Sequence, residues 1–235
     1  MTILALEFSS SRRSAAVLDP AEGSPSTRPK GGTLTQPPLR IKIAEAIETG
    51  VGRTNAFGLM EKALTGAGRA REQIEIIVVG LGPGSYTGIR VALSIAQGWQ
   101  LARGVKILGL SSTKCLAAQA QVAKLFGRVN VVIDAQRNEF YLESYEISSR
   151  DLKEVQALRI LSLAQMESQS RADEIWVGPE VTRWLPHGKI LFPSAATLGR
   201  LAAGSGDFVR GDQLAPIYLR ETIFVKAPPA NRLQG

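Results

Sequence analysis

The chain holds one cysteine and one histidine among its 235 residues. A single cysteine excludes an intramolecular disulfide framework, and the two together exclude a Cys/His zinc cluster. Aromatic residues make up only 6%, and no RNA-binding signature with interleaved aromatics occurs. No run of about 18 apolar residues exists, which excludes a transmembrane helix. No membrane partner is therefore expected. Acidic residues are missing altogether from Ile76 to Ile133, a stretch that carries Arg90, Arg103, Lys106, Lys114, Lys124 and Arg128. Six uncompensated positive charges favour a polyanion such as RNA. The plainer reading is a basic surface with several of these residues near helix C-termini, where cations are favoured.

What is present is ordinary for a packed protein. Hydrophobic residues are 44%, charged residues 21% and the net charge is +7, close to the globular norm. The length allows one large domain or two lobes of roughly 100–150 residues each. A chain of this size buries about 70% of its unfolded surface without covalent staples. The opening MTILALEF has neither a basic lead nor a small-residue cleavage site, and reads as a strand rather than a signal peptide. The default compartment is the cytoplasm.

Along the chain, Thr2–Phe8 reads as a strand, Ser9–Arg13 as a polar turn and Ser14–Asp19 as a returning strand. Residues 20–38 are rich in Pro, Gly, Ser and Thr and read as an exposed loop. Leu39–Ile47 alternates as a third strand. A helix follows at about Asn55–Thr65, with Phe57, Met60 and Leu64 at helical spacing. Ile74–Val79 is a continuous apolar run suited to a strand covered on both faces. A glycine-rich segment, a helix to about Arg103, a short strand at Lys106–Gly109 and a Ser-capped helix at Ser111–Phe126 come next. Arg128–Ile133, Asp134, a polar turn and Glu139–Tyr145 then repeat the opening pattern of apolar strand, acid, turn and returning strand. The echo at about 130 residues points to duplicated lobes. Glu174–Val177 reads as a strand, Ala195–Ala203 as a helix and Ala227–Gly235 as a polar tail. Strands alternating with helices give the α/β class, with a first lobe at 1–108 and a second at 109–235.

The segment GLGPGSYTG, residues 80–88, lies between strand and helix, where phosphate-binding loops occur. No lysine completes a P-loop, and Ser85 and Thr87 stand where the dinucleotide pattern requires glycine. The favoured reading is a structural turn: Pro83 fixes φ, Gly82, Gly84 and Gly88 permit unusual backbone, and Ser85 or Thr87 caps the helix. In that helix Ile89, Leu93 and Ala96 share one face. Val91, Ile95 and Ala102 share a second, and Ala92, Ala96 and Trp99 a third. Only Arg90, Gln97 and Gln100 are clearly polar. A helix apolar around most of its circumference is buried on more than one side. Either it is fully internal, or it joins the preceding helix in a paired surface for another protein. For the second case the contact candidates are Phe57, Met60, Leu64, Leu93, Ala96 and Gln100.

Catalytic groups are scarce. His187 sits in a turn without a partner for metal. Cys115 lies in an alanine-rich helix and reads as a small buried residue. Glu7 and Asp134 end apolar strands, as metal-phosphate carboxylates do in actin-like ATPases. Two acids alone cannot organise Mg²⁺ and ATP. Neither a nucleophile–base pair nor a metal cage emerges.

GPGSYTGIRVALSIAQGWQLARGVKILGLSST closely resembles the signature region of the bacterial TsaB (YeaZ) family, in the actin-like, Hsp70 and sugar kinase superfamily with its ribonuclease H-like lobes. ILALEFSSSRRSAAVLD and VVIDAQRNEFYLESYE resemble the family's first-lobe and second-lobe hairpins. PSAATLGRLA and APIYLRETIFVK resemble its closing segments. The chain departs from the family pattern at Glu7, where aspartate is usual, and at Gly52-Arg53-Thr54-Asn55, where a His-Ser type of helix start is common. Its 20–38 loop is also longer. The resemblance implies a two-lobed actin-like α/β fold with mixed sheets flanked by helices. It implies a non-catalytic protein that heterodimerises, through first-lobe helices, with TsaD, the enzyme that attaches threonylcarbamoyl to the tRNA adenosine next to the anticodon. A TsaE-type ATPase joins that complex, TsaC-type enzymes supply threonylcarbamoyl-adenylate, and tRNA is met indirectly through the complex. A homodimer on the same helical face is a further implication. No cofactor is expected on this chain alone; ATP and metal are expected on the partners. The alternatives are an active ATP-dependent kinase-like enzyme and a metalloprotease-like relative.

Overall fold

The computed structural model describes residues 1–20, 41–50, 52, 54–171, 174–203 and 205–219. The 20–38 loop beyond its first residue and the 227–235 tail lie outside the described residues. Every residue of β1 (Thr2–Glu7) is buried. The strand sits at the centre of a five-stranded sheet. It pairs antiparallel with β2 (Arg12–Pro20) and parallel with β4 (Ile74–Gly80). Outside these lie β3 (Ile41–Thr49), antiparallel to β2, and β5 (Lys106–Leu110), parallel to β4. Alternation sends β1 side chains to two different cores. Leu4 and Leu6 pack with α1 (Ala56–Ala67) and α2 (Tyr86–Arg103). Ile3 and Ala5 pack with α5 (Ala195–Ala202) on the opposite face. Burial on both faces is why β1 and β4 read as near-continuous apolar runs.

The second sheet has the order β10-β9-β6-β7-β8, with β6 (Gly127–Asp134), β7 (Glu139–Ile147), β8 (Leu152–Ser162), β9 (Ile175–Gly178) and β10 (Lys189–Ile190). Read from β8, this is the strand order of the first sheet again, so the coarse sequence echo extends to a complete repeat of topology. β6 takes the place of β1, antiparallel to β7 and parallel to β9. The two lobes differ where α2 lies: between β9 and β10 there is only a 3₁₀ turn at Val181–Arg183. α4 (Leu163–Gln169) covers one face through Met166. α3 (Ser112–Val122) covers the other through Leu116, Ala117 and Ala120.

The two closing helices are exchanged between lobes. α3 follows the first sheet and packs on the second, whereas α5 follows the second and packs on the first. They also meet each other: Gln119 Nε2 donates to Thr197 Oγ1 at 3.3 Å. After α5 the chain stays with the first lobe, where Ile217 N–H donates to the Leu81 carbonyl at 2.9 Å. A contiguous division at 108/109 therefore does not describe the molecule. The Ile3/Ala5/Ile76/Val78 face of the first sheet is covered by α5 and Phe208, with Cys115 of α3 beside them.

Candidate functional site

Between the lobes lies a cavity of about 840 Å³, walled by Ser9, Ser11 and Ser85 on one side and by Asp134, Tyr141 and Trp184 on the other. This is where an actin-like fold would hold a nucleotide. The acid at the end of β1 does not face it. Glu7 is wholly buried; one carboxylate oxygen accepts Ser9 N–H at 2.8 Å and the other accepts the Ser112 hydroxyl at 2.9 Å. A Cβ at Gly80 would collide with that carboxylate, so glycine on the neighbouring strand makes its room. Burial pushes the Glu7 carboxyl above the usual range, with the Ser9 and Ser112 hydrogen bonds opposing. Asp134 does border the cavity, but its carboxylate closes the turn that follows, accepting Gln136 N–H at 2.7 Å and Gln136 Nε2 at 3.2 Å. That turn runs through three consecutive residues of positive φ, Gln136, Arg137 and Asn138.

The glycine-rich loop is spent on the first hairpin. A Cβ at Gly84 would run into the Ser9 carbonyl, and one at Gly88 into the Phe8 carbonyl. Ser85 N–H donates to the Ser9 carbonyl at 2.6 Å, and the Gly82 carbonyl accepts Ser112 N–H at 2.8 Å. Gly82 has φ 86° and its bond to Pro83 is cis. The Ser85 hydroxyl caps α2 by accepting Gly88 N–H at 3.3 Å. These amides are used inside the protein, where a phosphate cradle needs them free. The residues present do not fit Mg-ATP in the actin-like manner. The first-lobe acid is turned inward, and the Ser85 and Gly88 amides are taken by protein oxygens. Among the described residues, no three His, Cys, Asp or Glu side chains are grouped to hold a metal ion.

The other isolated groups are quiet. The Cys115 thiol is buried and pushed up by burial and by Glu7. His187 lies at the surface, its Nε2 3.2 Å from Ser170 Oγ. The basic stretch is dispersed over both lobes. The Arg103 guanidinium donates to the Arg71 and Glu72 carbonyls. Arg128 pairs with Glu174 at 3.3 Å, and Lys106 lies over Phe208.

The helical faces differ from the sequence expectation. Met60, Leu64, Leu93 and Ala96 all lie in the core against the sheet, so they present nothing to a partner. Gln100 is half-buried and faces inward, accepting Gly211 N–H at 2.6 Å. Gln97 Nε2 reaches the carbonyl of the same residue at 2.8 Å. The exposed side of α2 instead includes Thr87, Ser94, Gly98 and Leu101, the last 91% exposed. On α1 it is Phe57, 64% exposed, with Glu61, Lys62 and Thr65. Phe57 is thus the one contact candidate with an open side chain. The signal for Leu101 was present in the sequence. It shares an arc with Ser94 and Gly98 at spacings of four and three, and serine and glycine are poor core fillers. At the cleft mouth Tyr86 stacks on Tyr218 with centroids 5.2 Å apart, and the Arg90 guanidinium lies 4.9 Å from the Tyr86 ring. Partial burial and the neighbouring Tyr86 push the Tyr218 phenol up to about 12, against the lowering effect of Arg90.

Comparison with known proteins bears on this arrangement. Residues 53–207 match a family model described as TsaD: tRNA N6-adenosine threonylcarbamoyltransferase. An Escherichia coli relative, tRNA threonylcarbamoyladenosine biosynthesis protein TsaB, is 27% identical over 73% of this chain and 81% of its own length. The chain belongs to this family, on its TsaB (YeaZ) branch. The TsaB protein of Haemophilus influenzae is 37% identical over a shorter match, 35% of each chain. In structure the chain resembles YeaZ from Pseudomonas aeruginosa. That match has a TM-score of 0.72 and 24% identity over 93% of this chain and 99% of the other. The likeness establishes the two-lobed actin-like α/β fold. No helix among the described residues is long and apolar enough to cross a membrane.

Proposed function

We propose that this TsaB-family chain acts in threonylcarbamoylation of the tRNA adenosine next to the anticodon, as a non-catalytic subunit that pairs with a TsaD-type enzyme. The observation that carries the reading is the fate of Glu7. In an actin-like cleft the acid at this strand end belongs to the metal and phosphate; here Ser9 and Ser112 take its two oxygens inside the protein. Further support comes from the biosynthetic role named for the E. coli and H. influenzae relatives. The pairing face on this reading is the outer side of α1 and α2, anchored by Phe57 and Leu101 with Ser94 and Gly98 admitting close approach. Burying such side chains contributes about 25 cal/mol per Å² before the costs of association. Binding biases the catalytic partner toward its working conformation. ATP and metal reside on the partners, a TsaE-type ATPase joins them, tRNA is met through the complex, and the setting is cytoplasmic. A homodimer on the same face competes with the heterodimer.

Size-exclusion chromatography with light scattering tests the pairing. The chain and the TsaD-type enzyme of the same genome are expected to co-elute as a 1:1 complex, lost in a Phe57→Glu, Leu101→Glu variant. Separate elution of the wild-type proteins overturns the pairing. A kinase-like enzyme would use the interlobe cavity, and titration with Mg-ATP separates the two readings. Micromolar binding by the isolated chain would favour the kinase-like enzyme.

A further inference from the structure

Two buried carboxylates, one from each sheet, end on adjacent residues of the same helix. Glu7, at the end of β1, accepts the Ser112 hydroxyl at 2.9 Å. Glu143, on β7 of the second sheet, accepts the Thr113 hydroxyl. Ser112 and Thr113 are both buried, and they open α3. The Ser111 hydroxyl pairs with Thr113 Oγ1 and accepts Thr113 N–H at 3.2 Å. The first turn of α3 is therefore a junction of side-chain bonds to both lobes rather than a simple cap. α3 then packs on the second sheet through Leu116 and Ala117, while its Cys115 sits in the core of the first. The exchanged partner, α5, is held in a related way: Ala195 N–H donates to Ser14 Oγ at 2.8 Å and Ala196 N–H to Glu45 at 3.1 Å, both from the first sheet.

We propose that the Ser112–Thr113 pair is a lobe-angle lock, in which the Glu7 and Glu143 carboxylates tie the two sheets to one helix end and so fix the opening of the interlobe cleft. The cleft walls, Ser9–Ser11 and Asp134–Gln136, are short extensions of the strands that carry or neighbour these acids. A rotation about α3 would have to break one of the two bonds. Buried hydrogen bonds to charged groups are among the strong ones, and opening the lock takes one such bond from a buried carboxylate, although Glu7 keeps Ser9 N–H and Glu143 keeps Tyr145. The lock therefore favours a single lobe angle over a distribution. It does not depend on pairing with a TsaD-type enzyme.

The test is a distance distribution by pulsed electron spin resonance on the full chain. Spin labels go on Lys62→Cys in α1 and Lys153→Cys in β8, in a Cys115→Ala background. Wild-type lock residues are expected to give one narrow peak. Thr113→Val, which removes only the hydroxyl, is expected to broaden or shift it. Thr113→Ser, which keeps the hydroxyl, is expected to leave it as it was. Ser112→Ala gives an independent opening on the Glu7 side should Thr113→Val fail to fold. A peak unchanged in a folded Thr113→Val or Ser112→Ala protein overturns the proposal. So does a broad peak in the protein with both hydroxyls present.

Discussion

Glu7 and Ser112 lie 105 positions apart in sequence and 2.9 Å apart in space, and their bond joins the central strand of the first lobe to the helix that crosses to the second. The carboxyl pays for that position in solvation, and its pKa rises. With the folded value above the unfolded one, the protonated form is favoured by folding. The contribution is fully present below the ordinary glutamate pKa of about 4.5 and is lost as pH climbs through the folded value. Glu7→Gln keeps the shape and an acceptor for Ser9 N–H. It is expected to match wild type below that pH and to become the more stable protein above it. The gap should widen by up to about 1.4 kcal/mol per pH unit until the folded pKa is passed. Urea unfolding across pH 4–8 reads this directly; parallel curves for the two proteins would contradict it.

Gly80 and Glu7 should couple. A methyl group at Gly80 meets the Glu7 carboxylate, so Gly80→Ala is expected to destabilise by about 1–3 kcal/mol. Glu7→Asp, one methylene shorter, withdraws the obstacle. The double variant is then expected to be more stable than the sum of the single effects by at least about 0.5 kcal/mol. Strict additivity in denaturant unfolding would contradict the packing described.

Buried and exposed positions of the two first-lobe helices should respond oppositely to charge. Leu93→Glu places a carboxylate in the core and is expected to remove about 3 kcal/mol or more of stability. Phe57→Glu is expected to change stability by no more than about 0.5 kcal/mol. On the proposed pairing it weakens binding to the TsaD-type enzyme at least tenfold. Thermal unfolding and titration calorimetry on the two variants check both halves. An intact melting curve for Leu93→Glu would contradict the packing of α2.

Local pattern was enough for much of the fold. The apolar runs at β1, β4 and β6 carry their own burial, whereas the alternation in β7 does not, because Tyr141 and Glu143 are buried as well as Phe140 and Leu142. Ser85 and Ser111 mark helix starts that the structure retains as caps. β8 carries little local signal, because LKEVQALRILS, at a sheet edge, has no clean alternation and only partial burial. The direction of α2 was beyond local reading because its second covered side faces residues 209–214, which return from more than a hundred positions downstream. Gln100 looks like a surface polar until Gly211 is placed against it, and Gln97, though exposed, is tied to the same residue. The inward turn of Glu7 is hidden for the same reason: its partner, Ser112, is remote, and the space it needs is made by a glycine on a different strand.

On the proposed function this chain serves a TsaD-type enzyme and performs no chemistry of its own. Reconstituted tRNA threonylcarbamoylation, run with the TsaD-type, TsaE-type and TsaC-type proteins of the same genome, tests it most directly. Modified adenosine should form only when this chain is added, and the chain alone should form none. An equal rate in its absence, or turnover by the isolated chain, would contradict the account.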